Sequence, residues 1–192
     1  MSRHQHQNIK KQALSVEKIT LIGNPNVGKS VIFGLLTGKY VAVSNYPGTT
    51  VEITQGNVLI EGRRYLFVDS PGVNSLIPMS EDEKVTSDIL LKESPSAVLQ
   101  VGDAKNLKRT LLITLQLAEM GFPVALALNM TDEAMDKGIT IDTAALGGIL
   151  GIDVVSTVAP QKKGIKDLKA AISSPRKPFI SITYSNEIEE YS

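Results

Sequence analysis

The sequence predicts an α/β domain, a mostly parallel central sheet with helices on both faces. Short apolar strands alternate with helical segments along most of the chain, and that alternation builds parallel sheets covered on both sides. A glycine-rich stretch, Gly23 to Ser30, stands between one such strand and the next helix, and open α/β sheets bind ligands at the carboxyl ends of their strands.

The elements follow in order. Residues 1–15 read as a flexible arm; its His4 and His6 lack the further ligands a metal would need. The folded domain spans 16–173. Ile19 to Ile22 is a strand ending in Gly23, and residues 29–38 are a helix with Val31, Ile32, Leu35 and Leu36 on its apolar face. Residues 39–50 carry Gly, Pro, Ser, Asn and Thr and read as a loop. Val51 to Ile60 and Arg64 to Val68 form a hairpin about Glu61-Gly62. Asp69 to Pro78 is a loop, and Ser80-x-x-Glu83 is a capping box opening the next helix.

Ala97 to Val101 is a buried strand, and Leu107 to Met120 is the clearest amphipathic helix. Then come a strand at Val124 to Leu128, a helix over 142–150, a strand at Val154-Val155 and a helix from Ile165 to Ile172. Residues 174–192 read as a linker and the start of a following helical domain: Phe179 to Tyr184 is strand-like and Asn186 would cap a helix.

Composition narrows the function classes. The 192 residues are 42% hydrophobic and 21% charged, an ordinary globular balance. Basic and acidic residues number 20 each, without the basic excess of a nucleic-acid binder. The absence of cysteine removes disulfides, thiolate catalysis and Cys-ligated metals. No apolar run has the length of a membrane helix.

Gly23-Asn24-Pro25-Asn26-Val27-Gly28-Lys29-Ser30 fits G-x-x-x-x-G-K-[ST] in full, after a strand and before a helix. Glycines let backbone N–H groups converge on phosphates, and the helix N-terminus adds its positive end. Lys29 can reach the β- and γ-phosphates and Ser30 can offer its hydroxyl to Mg2+. Val31 completes the nucleotide-binding run. Asn129-Met130-Thr131-Asp132 follows a strand. The Asp132 carboxylate only accepts, so it matches the paired N1–H and amine donors of guanine, which adenine lacks. Asn129 can bridge toward the base and the neighbouring loops.

Asp69-Ser70-Pro71-Gly72 also follows a strand. Asp69 can hold Mg2+ through water, and Gly72 leaves its N–H free to approach the γ-phosphate. Of Thr49 and Thr50, Thr50 is expected to close on Mg2+ when the γ-phosphate is present. These boxes predict a P-loop NTPase fold of the Ras-like GTPase type, with GTP or GDP as ligand.

The sequence also resembles the cytosolic GTPase domain of the ferrous iron transport protein B family, over residues 17–172. The resemblance rests on Gly-Asn-Pro-Asn in the phosphate loop, Asn45 to Glu52, Asp69-Ser70-Pro71-Gly72 with Ser80 to Val85, Asp103 to Arg109, and Ala127 to Ala134. Tyr46 stands where a Trp is usual.

The resemblance implies a slow GTPase on the cytoplasmic face of the inner membrane. In that setting it would regulate a ferrous iron permease domain carried by the same parent chain. It implies K+ held by Asn26, whose side chain could alternatively stabilise its own loop. Val73 occupies the position where many GTPases have a water-orienting Gln. Asn26, Lys29, Thr50 and Gly72 are then the candidate catalytic residues.

Counting back from Gly164 puts Ala159-Pro160-Gln161 at the last guanine-contacting box, where Pro160 would lack the usual N–H; Ser156-Thr157 is the alternative. Two other readings compete: an RNA- or ribosome-associated GTPase, and a non-hydrolysing nucleotide-binding module.

Overall fold

The computed structural model describes residues 16–38 and 41–179. The readings of the N-terminal arm, and of everything beyond Phe179, lie outside the described residues.

A seven-stranded sheet forms the centre, in the order β2-β3-β4-β1-β5-β6-β7. Its strands are β1 (Glu17–Gly23), β2 (Val41–Asn45), β3 (Glu52–Ile60), β4 (Arg63–Asp69), β5 (Ala97–Asp103), β6 (Val124–Asn129) and β7 (Asp153–Ser156). β1 pairs in parallel with β4 and β5, as does β6 with β5 and β7, while β2–β3 and β3–β4 are antiparallel. The sheet is therefore mixed, parallel from β4 through to the β7 edge and antiparallel at the β2–β3 edge.

The helices are α1 (Lys29–Thr37), α2 (Glu81–Glu93), α3 (Leu107–Glu119), α4 (Thr131–Asp136), α5 (Thr143–Leu150) and α6 (Ile165–Ser173). Alternation along β1 feeds both faces. Ile19 and Leu21 join Ile32, Phe33, Phe67, Leu99 and Leu168 in one core. Ile22 joins Val98, Leu126, Ile113, Leu117 and Leu150 in the other. β5 and β6 are buried almost throughout, as strands covered on both faces must be.

The hairpin turn Glu61-Gly62 has positive φ at both residues, 49° and 79°, the geometry that matches the twist of the flanking strands. Ser80 caps α2 by accepting from the Glu83 N–H at 3.2 Å. The Glu83 carboxylate does not close the box on Ser80. It accepts from the N–H groups of Met79 (3.0 Å) and Asn74 (3.4 Å) instead. The Met79 N–H foremost, against the opposing effect of burial, holds this carboxyl below the usual carboxylate range.

Two further expectations are corrected. The 39–50 stretch is not all loop, because Val41–Asn45 is the edge strand β2. Every residue of β2 is exposed, so no buried face marks it in the sequence. Val31 is not part of the apolar face of α1: it is 48% exposed, and Phe33 is buried there instead. The short helix α4 and 3-10 turns at Ala104–Asn106 and Ala159–Gln161 were also not anticipated. Beyond α6, Arg176 lies against the start of β6, accepting from the Val124 N–H at 2.8 Å and pairing with Asp153 at 2.6 Å.

Candidate nucleotide site

The functional segments gather at the carboxyl ends of β1, β4, β6 and β7. The phosphate loop leaves β1 at Gly23. A Cβ there would lie 2.2 Å from the Val101 carbonyl oxygen, so glycine is what lets β1 end against β5. Asn26 adopts φ 63°, a conformation Asn tolerates, and Gly28 adopts φ 85°. Gly28 is the N-cap of α1, with no side-chain cap and no acidic residue in the first turn. The first N–H groups of α1 thus have no side-chain acceptor, as an anion site requires.

Asn24, Pro25, Asn26, Gly28, Lys29, Ser30, Val31, Gly72 and Asp82 line one cavity of about 410 Å³. The predicted phosphate-loop residues and Gly72 therefore meet in one place. Val27, by contrast, is buried in the core, with its backbone turned to use. Asp82, from the first turn of α2, was not anticipated as a lining residue.

Lys29 and Asp69 are both nearly buried and form an ion pair. Lys29 also donates to the Ser70 carbonyl. The Ser30 hydroxyl donates to the other Asp69 oxygen at 3.0 Å. One hydroxyl and one carboxylate, side by side, suit Mg2+, which prefers hard oxygens and takes few of them from protein. No group of three or more His, Asp or Glu forms a metal cage among the described residues.

Gly72 touches the phosphate loop directly. A Cβ on it would lie 3.0 Å from the Pro25 Cα. The next residue is stitched on, Val73 N–H to Gly23 O at 3.0 Å and Asn24 Nδ2 to Val73 O at 3.0 Å. Val73 itself is 1% exposed and packs with Ile22, Leu76 and Leu90. Its side chain is committed to the core.

Thr49 and Thr50 separate clearly. The Thr49 hydroxyl donates to Tyr46 O at 3.0 Å and accepts from the Val51 N–H at 3.2 Å, closing the turn. Thr50 is exposed and makes no hydrogen bond among the described residues, but it does not line the cavity. Tyr46 anchors this turn among Ile53, Val68, Val85 and Ile89, and burial pushes its phenol up, with Glu93 and Asp88 adding to the rise.

The base loop is tied to the phosphate loop by one side chain. Asn129 is 1% exposed. Its Nδ2 donates to the Val27 carbonyl at 2.9 Å, and its Oδ1 accepts from the Thr157 hydroxyl and the Ala159 N–H, each at 3.1 Å. Met130 takes φ 62° to start α4, placing Asp132 in the first turn. Gln161 Nε2 donates to Asp132 Oδ2 at 3.2 Å. Lys105, also not anticipated, pairs with Glu133 and lies 3.2 Å from the Met130 sulfur. Its amine pKa is raised, chiefly by the Glu133 bond.

The Ser156-Thr157 alternative thus enters the network through Thr157, while the N–H that faces Asn129 is that of Ala159. Pro160 is exposed and sits at the start of its 3-10 turn, where a missing N–H leaves nothing unpaired.

A phosphate loop, an Asp-x-x-Gly segment packed on it and an Asn-x-x-Asp loop braced to it, on this sheet, define a P-loop G domain, the guanine-nucleotide-binding class. The family follows from comparison. A family model described as ferrous iron transport protein B matches residues 17–172, and the chain belongs to that family. The Fe(2+) transport protein A/Fe(2+) transporter FeoB fusion protein of Porphyromonas gingivalis is 44% identical over 154 residues, 80% of this chain. The match covers 18% of that relative, so the chain spans about a fifth of its length.

The cytosolic domain of L. pneumophila FeoB has a TM-score of 0.85 at 36% identity, covering 90% of this chain and 70% of that one. The cytosolic domain of the T. maritima FeoB transporter in its GMPPNP form gives 0.85 at 36% identity, covering 91% and 71%.

Proposed function

We propose that this chain binds GTP and hydrolyses it slowly to GDP and phosphate, as the regulatory domain of a ferrous iron membrane transporter. One observation carries the reading. Lys29, Ser30 and Gly72 line one cavity, Asp69 is bonded to both Lys29 and Ser30, and Asn129 ties the loop that forms the cavity to the loop that bears Asp132.

In this reading the uncapped N–H groups of α1 and the Lys29 ammonium hold the β- and γ-phosphates. The Gly72 N–H donates to the γ-phosphate, and Thr50 swings in from its exposed turn. Ser30, Asp69 and Thr50 would hold Mg2+, which when bound neutralises phosphate charge. Asp132 accepts from the guanine, with Met130 alongside. Val158-Ala159-Pro160 becomes the last box, with the Ala159 N–H, which donates to Asn129 Oδ1 in this structure, turning to the base as its donor in place of residue 160.

Val73 cannot orient water, so rate enhancement falls to the phosphate loop. Asn26 is exposed at the cavity, and its side chain makes no hydrogen bond among the described residues. That favours a role in holding K+ beside the phosphates over one in bracing its own loop.

The permease of the same parent chain is the expected partner, at the cytoplasmic face of the inner membrane. No helix among the described residues is long and apolar enough to cross a membrane. The burial of Val73 favours one competing reading, a module that binds nucleotide without hydrolysing it.

Titration with guanine and adenine nucleotides, then hydrolysis in potassium and in sodium, tests the proposal. Guanine selectivity, multiple turnovers and a faster rate in potassium are expected, with the potassium response lost in Asn26→Ala. Equal rates in both salts would remove Asn26 as a cation ligand, and binding without turnover would leave the non-hydrolysing module.

A further inference from the structure

We infer that Gln116 on α3 is a positioning residue for Gly72. It holds the chain that leaves Gly72 and so sets where the Gly72 N–H stands relative to the phosphates. This rests on the hydrolysis reading above.

The segment after Val73 has few backbone partners. Its N–H groups are met by side chains: Asn74 by Glu83 at 3.4 Å, Leu76 by Gln116 at 2.9 Å, Ile77 by Ser75 at 3.0 Å and Met79 by Glu83 at 3.0 Å. Gln116 is used at both ends, because its Nε2 also donates to the Ser75 hydroxyl at 3.0 Å. One amide thus clamps two consecutive residues. Leu76, between these bonds, is 6% exposed and packs against Ile113 and Leu117, the neighbours of Gln116 on α3.

Two turns earlier on the same helix face, Arg109 donates to the Asn74 side-chain oxygen. Arg109 also lines a cleft of about 40 Å³ with Asn24, Pro25 and Val27 of the phosphate loop. The stretch 72–76 is therefore fastened at both ends, to the phosphate loop through Gly72 and Val73 and to α3 through Asn74, Ser75 and Leu76. If the α3 end is released, Gly72 keeps its packing on Pro25 and the two Val73 bonds to the phosphate loop, but the chain beyond Val73 no longer fixes the angle at which it leaves Gly72. The α-phosphate and base contacts do not pass through this segment, so GDP binding should be indifferent to Gln116 while γ-phosphate contacts are not.

The test compares Gln116→Met, which keeps the bulk and removes both hydrogen bonds, with Gln116→Glu. The glutamate still accepts from the Leu76 N–H, and the Ser75 hydroxyl can turn to donate to it. Single-turnover GTP hydrolysis is measured beside the affinities for GDP and GMPPNP. Neutral hydrogen bonds of this kind are each worth about a factor of five. Gln116→Met should therefore slow hydrolysis about ten-fold or more and weaken GMPPNP by a similar factor, with GDP affinity within about two-fold. Gln116→Glu should recover most of that loss.

If Gln116→Met does not fold, Ser75→Ala carries the test, with a loss of about five-fold in the same two readouts. Unchanged hydrolysis and GMPPNP binding, or equal weakening of GDP and GMPPNP, would overturn the inference. If the unaltered chain binds but never turns over, the hydrolysis reading fails. The ratio of GMPPNP to GDP affinity then still tests Gln116.

Discussion

Replacing Gly28 by alanine should cost stability through two separable effects. Gly28 has φ 85°, and a left-handed alanine costs about 1 kcal/mol. The added Cβ would also stand 2.4 Å from Asn129 Nδ2, where no van der Waals contact is possible. Relief requires Asn129 to withdraw, and its bond to the Val27 carbonyl is then lost inside a region 1% exposed at Asn129. A buried carbonyl left unpaired costs about 1–3 kcal/mol. The total is roughly 2–4 kcal/mol, and at about 2–4 °C per kcal/mol for a domain of this size the midpoint should fall by roughly 4 to 16 °C.

A double-mutant cycle with Asn129→Ala separates the two effects. Without the amide the clash disappears, and Gly28→Ala should cost only the strain of about 1 kcal/mol. Urea unfolding of the four variants without nucleotide gives all the terms. An equal cost of Gly28→Ala in both backgrounds would show that Asn129 is not what the Cβ meets, and the proposed brace between the base and phosphate loops would fall with it.

Other outcomes follow from the same geometry. Glu83→Gln should destabilise at neutral pH, because the folded carboxyl ionises more readily than the unfolded one; that contribution is present above the ordinary carboxylate pKa and lost as pH falls through the lowered folded value, so the gap in Tm between variant and parent should close in acid. Val73→Gln should not raise turnover, since the site is 1% exposed among core residues; burying the amide should cost about 1–3 kcal/mol by urea unfolding, and a faster GTPase would show that residue 73 faces the phosphates after all. Pro160→Ala should change GDP affinity by less than about two-fold, within about 0.4 kcal/mol, because the donor facing Asn129 is the Ala159 N–H; a ten-fold gain by isothermal titration would return the box to residue 160.

Legibility tracked how local each signal is. The buried parallel strands β5 and β6 stand out because both faces are covered and apolar residues run through them, interrupted within β5 only by the buried Gln100 and by Gly102-Asp103 at its end. β2 was missed because all five of its residues are exposed, and Val41 and Val43 lie in a stretch whose composition otherwise says loop. α4 is only six residues long and follows Asn129-Met130 without an apolar period.

In the candidate site, motif spacing pointed to segments that the fold does bring together: close backbone approaches call for the glycines, and side-chain bonding calls for Asp69 and Asn129. The lack of a suitable group at Val73 was also legible, but not that the side chain is buried. Lys105 with Glu133 and Gln116 with Leu76 are separated by 28 and 40 residues, and nothing in either local sequence marks the pairing.

The sheet and the loops above it also differ mechanically. The sheet is held by ladders, in which each hydrogen bond is supported by its neighbours. The loops above it rest on a few isolated backbone bonds and on single side chains: Asn129 joins the phosphate loop to Thr157 and Ala159, Thr49 helps close the turn below Thr50, and Glu83 with Gln116 carries residues 74 to 79. A ladder fails cooperatively, whereas a side-chain brace can be released one bond at a time, at about 1 kcal/mol each. On the proposed reading, a γ-phosphate that makes one or two charge-assisted hydrogen bonds, each stronger than a neutral one, would be enough to choose between braced and released loops without straining the sheet beneath. Of these braces Asn129 and Glu83 stand in sequence motifs, whereas Gln116, the brace assigned to Gly72 above, is marked by none.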